Sequence, residues 1–272
     1  MNKYLIFIFF FIQYSYAQNY RAIYDFNYKL DSTKSYSDTI EMVLDIQKET
    51  TRFYYQKLIK LDSLVRNNEI ISYSFPVQQV IKRNQNSFEN ENFVSVEDKY
   101  YTYFSTDQID WKIMPEIKHS AHYTLQKAEA IWSGRKWTAW FTPEIPISEG
   151  PYKFKGLPGL IIELEESNKN FGYKLISFNK LASDYDTTNI VETNLGNPPV
   201  KISLKKYQEL LLNQYNNPFS EYNNMKEGSW GITIDGKEIN TLEGLKSIKK
   251  NYQSGIKRYY NPIELDKAVK YK

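Results

Sequence analysis

The chain has 272 residues, a formal net charge of +3, 16% aromatic residues and no cysteine. So weak a charge balance argues against a nucleic-acid binder, which typically carries a clustered basic face, and the lack of Cys excludes disulfide staples and thiol chemistry. The length suffices for a β-rich unit that buries a core of its own.

Met1-Asn2-Lys3-Tyr4 leads into the apolar run Leu5–Ile12, and Ser15 and Ala17 are small residues at the −3 and −1 positions of a cleavage site. This pattern predicts a secretory signal peptide over 1–17 and a mature chain starting at Gln18. The run falls well short of the ~20 apolar residues that span a membrane, so no transmembrane helix is expected in the mature chain. A periplasmic or extracellular location follows. Residues 18–272 are expected to form one β-rich domain, more helical from about residue 200.

Tyr20–Lys29 alternates apolar and polar residues from Tyr24 onward, as a half-buried strand does, and Ile40–Ile46 reads as a second strand. Tyr54, Leu58, Leu61 and Val65 recur at helical spacing, which predicts a helix from Thr51 capped by Thr50 or Thr51; Phe53-Tyr54-Tyr55 also suits a strand. Further strands are expected over Ile70–Ile81 and Phe93–Phe104, with an Asn-rich connection from Asn84 to Asn92, then over Ile109–Ile117 and His122–Trp132. Phe171–Phe178 should pair with Ile161–Glu165 across a turn at Lys169-Asn170. Ser203 can cap a helix to about Asn213. Trp230–Lys237 reads as a short strand with an Asp235-Gly236 turn, and Leu242–Tyr252 as helical. The expected class is therefore α+β and β-rich, a mainly antiparallel curved sheet with a few packing helices; a half-open barrel is one version, by fold analogy alone.

The stretch Trp132–Leu164 gathers three of the five Trp, four of the ten Pro and four of the eleven Gly. Leu157-Pro158-Gly159-Leu160 has the chemistry of a type II turn, with Pro158 presetting φ and Gly159 supplying a positive one. Leu160-Ile161-Ile162 then reads as a buried strand. Gly150, Gly156 and Gly159 are assigned to turns.

Gly156–Ile161 spells the hexapeptide of the GLPGLI family of exported bacterial proteins, and the chain resembles that family beyond those six residues. Gly134-Arg135, Ala139–Pro146 and Gly150–Phe154 are similar to the family pattern in order and spacing, as is Asn261–Leu265 near the C-terminus. One departure is that members often carry a Cys just before the Lys-Ala pair (Lys127-Ala128 here), where this chain has Leu125 or Gln126. The resemblance supplies no activity and no catalytic residue. Members tend to be encoded near outer-membrane receptor genes, which implies an envelope role.

His119 and His122 are the only histidines. Their spacing would share a helix face but splits across a strand, and no third ligand accompanies them, so no metal is expected. Glu144, Glu149, Glu163, Glu165 and Glu166 are the carboxylates available for acid–base work; Glu163 and Glu165 most simply form the solvated face of a strand, opposite Leu164. Ser148 lacks the glycine frame of a nucleophile elbow. Pro143-Glu144-Ile145-Pro146 favours an extended segment with unpaired backbone groups. Trp132, Trp137, Trp140 and Phe141 either fill the core or line an apolar cavity.

The function expected is a non-enzymatic envelope protein that binds a protein partner or an apolar small molecule, alongside an outer-membrane receptor in one version. Candidate recognition residues are Trp140, Pro143, Pro146, Tyr152, Phe154, Leu157 and Pro158. No cofactor and no nucleic acid are expected. The alternative is a carboxylate-dependent hydrolase. An apolar cavity beside Trp140 would favour the first; two carboxylates facing each other across a cleft would favour the second.

Overall fold

The computed structural model describes residues 19–67, 75–120, 122–222, 224–226, 228–234 and 236–272. The expected signal peptide lies outside them, as do residues 70–74 of the strand expected over Ile70–Ile81. Six strands leave the middle of a sheet one after another: β1 (Asn19–Tyr28), β2 (Asp38–Ile46), β3 (Thr50–Tyr55), β4 (Val80–Asn84), β5 (Glu89–Val96) and β6 (Lys99–Thr106). Five more start at the far edge and work back: β7 (Lys112–His119), β8 (Thr124–Trp132), β9 (Arg135–Thr142), β10 (Leu160–Glu166) and β11 (Phe171–Leu181). β11 pairs antiparallel with β1 and joins the two arms. The two-residue strand β12 (Val200–Lys201) adds in parallel beside β6. The resulting twelve-stranded sheet has β12 at one edge and β7 at the other, so it is open. Every pairing but that of β12 is antiparallel, the arrangement short connections favour.

Alternation accounts for β1: Ala22, Tyr24, Phe26 and Tyr28 point inward and are buried. β10 follows a different rule. Leu160, Ile161 and Ile162 are all buried because the pairing with β9 shifts register between Ile161 and Glu163, and such an irregularity turns consecutive side chains to the same side. Lys169 adopts φ 57° in the turn that joins β10 to β11, where the hairpin was expected.

Two expectations need correction. The helix expected from Thr51 starts at Lys57 as α1 (Lys57–Arg66). Phe53, Tyr54 and Tyr55 pair instead with Leu44, Val43 and Met42 of β2, and all three are buried; aromatic side chains gain more from that packing than from a helical turn. Leu58 and Leu61 keep the helical spacing and are buried on α1. The stretch Phe93–Phe104 is two strands, split by a tight turn in which Glu97 takes φ 54°.

Ser203 caps α2 (Leu204–Asn216), accepting a hydrogen bond from the Lys206 N–H at 3.1 Å. A separate hairpin, β13 (Ile232–Ile234) with β14 (Lys237–Ile239), precedes α3 (Leu242–Arg258). Asp235 of the expected turn lies outside the described residues, and Gly236 adopts φ +75°. No helix among the described residues is long and apolar enough to cross a membrane.

Candidate functional site

The 17 residues between β9 and β10, numbers 143–159, form a strap with no regular secondary structure, yet most of its second half is buried. Phe154 is fully buried against Trp137 at 4.5 Å and Trp132 at 4.9 Å between ring centroids. Tyr152 packs on Phe53 of the other arm at 6.3 Å. The strap thus fills the space between the two arms of the sheet.

Lys153 and Lys155 flank Phe154 and are also buried, at 1% and 5% exposure. An ammonium in such a place needs partners. Lys153 Nζ donates to Glu264 at 2.8 Å and lies 3.3 Å from Asp107. Lys267 bridges the same two carboxylates, reaching Asp107 at 2.5 Å. Lys155 Nζ donates to Glu149 at 3.1 Å and to the Ser87 carbonyl at 3.2 Å. Glu149 also pairs with Arg83 of β4, whose Nη1 donates to the Tyr152 carbonyl at 2.7 Å. Asn90 links the halves, accepting from Arg83 at 3.4 Å and donating to Asp107 at 3.1 Å. Four cations and three carboxylates from the β1–β6 arm, the strap and the C-terminal tail thereby form one network.

The environment acts on these groups in opposite directions. Burial drives the Lys153 ammonium below the usual lysine range despite Glu264 and Asp107 beside it. Burial alone would raise the Asp107 carboxyl, but Lys153 and Lys267 outweigh it and hold that group below the usual carboxylate range.

The motifs that carry the family resemblance converge here. Arg135 of β9 donates to Asn261 at 2.8 Å and to the carbonyls of Pro262 at 2.7 Å and Ile263 at 3.1 Å, clasping the tail. Tyr152 hydroxyl donates to Glu264 at 2.5 Å. Tyr152 itself has φ 54°, a left-handed conformation that costs a bulky residue about 1–2 kcal/mol. A turn closed by the Phe154 N–H on the Pro151 carbonyl at 3.0 Å, together with the burial of the ring, holds it there.

The type II turn expected over Leu157–Leu160 is not formed. The Gly159 N–H donates to the Leu157 carbonyl at 2.8 Å, a three-residue turn centred on Pro158, and the Leu160 N–H goes to Ile145 at 3.0 Å. Gly159 is required for a further reason: a Cβ there would fall 2.1 Å from the Thr142 carbonyl oxygen. A Cβ on Gly150 would likewise meet the Phe154 carbonyl at 2.5 Å, and both Gly159 and Gly156 adopt a positive φ, +159° and +100°. The Pro143–Pro146 segment also differs from expectation. Residues 143–144 turn, and beyond them the N–H groups of Ile147 and Glu149 donate to the carbonyls of Ile145 and Ile147 at 2.7 and 2.8 Å, so these backbone groups are not free.

The candidate recognition residues divide by burial. Tyr152, Phe154 and Leu157 are strap residues with buried side chains; Pro143, Pro146 and Pro158 face solvent. Trp132, Trp137 and Phe141 are core residues, while Trp140 sits on the opposite face of β9 under the Lys118 ammonium at 4.4 Å from the ring. The hollow beside Trp140 is lined by Lys118, Lys127, Glu163 and Lys174, so it is charged rather than apolar. Glu163 pairs with Lys118, Glu165 is exposed, and Glu166 is buried, accepting from Asn170 side chain and backbone at 3.0 and 3.1 Å. Glu144 accepts from the Thr124 N–H at 2.8 Å. His119 and His122 are exposed, and no group of three or more metal-ligating side chains occurs among the described residues.

Two cavities flank the network. A half-open groove of about 750 Å³ runs along residues 144–149 of the strap, faced by Phe88, Phe178 and Tyr20, with Glu149 and Lys155 at its floor. A second, of about 220 Å³, lies between the sheet, α2 and the tail. Sequence reasoning missed Arg83, Asp107, Arg135, Lys153, Lys155, Glu264 and Lys267 as interior groups. The one available signal was the Lys-Phe-Lys alternation inside a Gly- and Pro-rich stretch.

A family model described as a protein of unknown function (Porph_ging) matches residues 80–163. That span holds Arg83, Asn90, Asp107, Arg135 and the whole strap, and stops short of the tail. No curated protein matches. Solved structures of PNGF-II in the C2 and P21 space groups are similar, with TM-scores of 0.52 and 0.51 at 14% identity. The likeness covers 72% and 71% of this chain and 33% of each of theirs, so the chain spans about a third of the length of PNGF-II. At that identity the likeness concerns the fold alone.

Proposed function

We propose that the protein is a non-enzymatic binding protein of the cell envelope, and that the strap-walled groove receives an extended segment of a partner polypeptide. The observation that carries this reading is the groove's wall: residues 144–149 are held from below by the buried Glu149–Arg83–Lys155 pairs. Breaking such pairs is costly, and what they secure is a fixed conformation. A pre-organised wall loses little entropy on binding. Ile145, Ile147, Phe88 and Phe178 offer apolar contact, while Gln85, Asn86 and Ser148 offer hydrogen bonds along the same length. The GLPGLI resemblance and the apolar N-terminal run support an exported protein acting beside an outer-membrane receptor.

The hydrolase alternative gains no geometric support. Among the described residues Glu149 and Glu163 are ion-paired, Glu144 and Glu166 are hydrogen-bonded, and Glu165 is exposed on a strand face.

The test is site-specific photo-crosslinking in envelope extract, with the probe at Ser148 or at Ile131, an exposed position on β8. A partner peptide captured from Ser148 and not from Ile131, and lost in Ile147→Asp with an unchanged melt, is the expected result. Equal capture from both positions would sink the groove. A captured polypeptide that came off shortened would favour the hydrolase.

A further inference from the structure

From the second cavity we infer a site for a small, uncharged, apolar molecule of about the size of a substituted benzene ring. The cavity does not depend on the groove and lies on the tail side of the network. Its walls are Val94 and Tyr103 of the sheet, Phe171 at the start of β11, Leu204 and Leu211 of α2, and Ile263 of the tail.

Size comes first. A closed apolar cavity of ~150 Å³ admits benzene, so about 220 Å³ in this half-open pocket leaves room for one ring and a short substituent. The wetting of the walls is the second observation. On the sheet side Val94, Tyr103 and Phe171 are buried, but on α2 Leu204, Tyr207 and Leu211 stay only half-buried. These are the apolar residues of an amphipathic helix on the side that lines the cavity. A helix of this kind ordinarily buries that stripe completely; here apolar surface remains for an occupant to cover.

Charge then selects the class. The polar wall carries Glu264 and Lys267, which belong to a set of two carboxylates (Asp107, Glu264) and two ammoniums (Lys153, Lys267), a balanced sum. The amides of the lining are already engaged: Gln79 accepts from the Tyr173 hydroxyl at 2.8 Å, Gln208 donates to the Lys267 carbonyl at 2.9 Å, Gln78 donates to the Ser95 carbonyl at 3.2 Å and Asn261 donates to the Lys29 carbonyl at 2.7 Å. A charged ligand would lose its hydration with no counter-charge left to meet it, whereas an uncharged ring loses nothing polar.

Fluorobenzene is a suitable probe, titrated into the mature chain and followed by fluorine NMR together with methyl spectra of the protein. Saturable binding is expected, with shifts at Val94, Leu204, Leu211, Ile263 and Val269 and none at Ile145 and Ile147. Fluorobenzoate and fluorobenzylammonium should bind at least tenfold more weakly. Filling the space from the helix side with Leu211→Trp, or from the sheet side with Val94→Phe, should weaken fluorobenzene tenfold or more. No saturable binding, methyl shifts at Ile145 and Ile147 of the groove instead, equal affinity for a charged analogue, or unchanged binding in a folded, filled variant would each overturn the site. The methyl shifts locate the probe without any substitution, so a variant that fails to fold leaves the test standing.

Discussion

The strap and the C-terminal helices invert the usual relation between regular structure and burial. The strap has no helix or strand, yet from Glu149 to Lys155 every residue is buried. α3 runs 17 residues with a well-formed cap at Thr241, and only Leu245 and Ile248 are buried on it. Local hydrogen bonds define the helix; contacts between arms, strap and tail define the strap. A segment's conformation can therefore be fixed by its surroundings without any repeating pattern of its own.

The comparison breaks most sharply at Glu149. Glu149→Gln removes the charge facing buried Arg83 and Lys155, and an interior ion left without its partner costs about 3–5 kcal/mol. Chemical denaturation should show that loss, and a change below about 1 kcal/mol would mean the strap is held by packing alone.

Glycine gives the next effect and a change of sign. Gly159→Ala drives a methyl into the Thr142 carbonyl, an overpacking that costs about 3 kcal/mol. Gly255 lies within α3 with nothing near its would-be Cβ, so Gly255→Ala should stabilise by about 0.4–1 kcal/mol, chiefly by restricting the unfolded chain. Opposite shifts in the denaturation midpoint are the expected readout. If both substitutions destabilise, α3 is held more tightly than its exposure indicates.

Acid sharpens the contrast more gradually. Besides Asp107, burial would raise the carboxyls of Glu166 and Glu192, but backbone hydrogen bonds from Asn168 and Asn170 hold Glu166 down, and Arg52 holds Glu192 down. Groups with depressed folded values contribute fully above their unfolded values, about pH 4 to 4.5, and lose that contribution as pH falls through the folded ones. Thermal melts should thus be flat on this account from pH 7 to about 5 and drop below 4. Hydrogen exchange should show the network opening with the core, after α3 has already exchanged.

The alternating residues of β1, the hairpin of β10 with β11 and the Ser203 cap were legible because each is decided within a few residues. The strap was not, because its conformation is set by distant groups: Glu149 meets Arg83, 66 residues earlier, and Tyr152 meets Glu264, 112 residues later. Gly159 reads as a turn glycine in isolation, and only the position of Thr142 shows that it answers a close approach. The Phe53–Tyr55 triplet satisfied both helical and strand patterns, and the neighbouring β2 chose between them.

The tail's position also bears on time. Glu264 meets Lys153 from 111 residues further along the chain, and Asn261 meets Arg135 from 126 residues further along. Successive hairpins can form as the chain appears, since their contacts are local, while the pairing of β1 with β11 and the docking of the tail span long loops and are slow by nature. Until that docking, Lys153 has no Glu264 to meet, so full closure of the interior has to wait for residues 261–267. Refolding of a chain ending at Tyr260 should stall short of native amide protection around Lys153, whereas the β2–β3 hairpin protects at its ordinary rate.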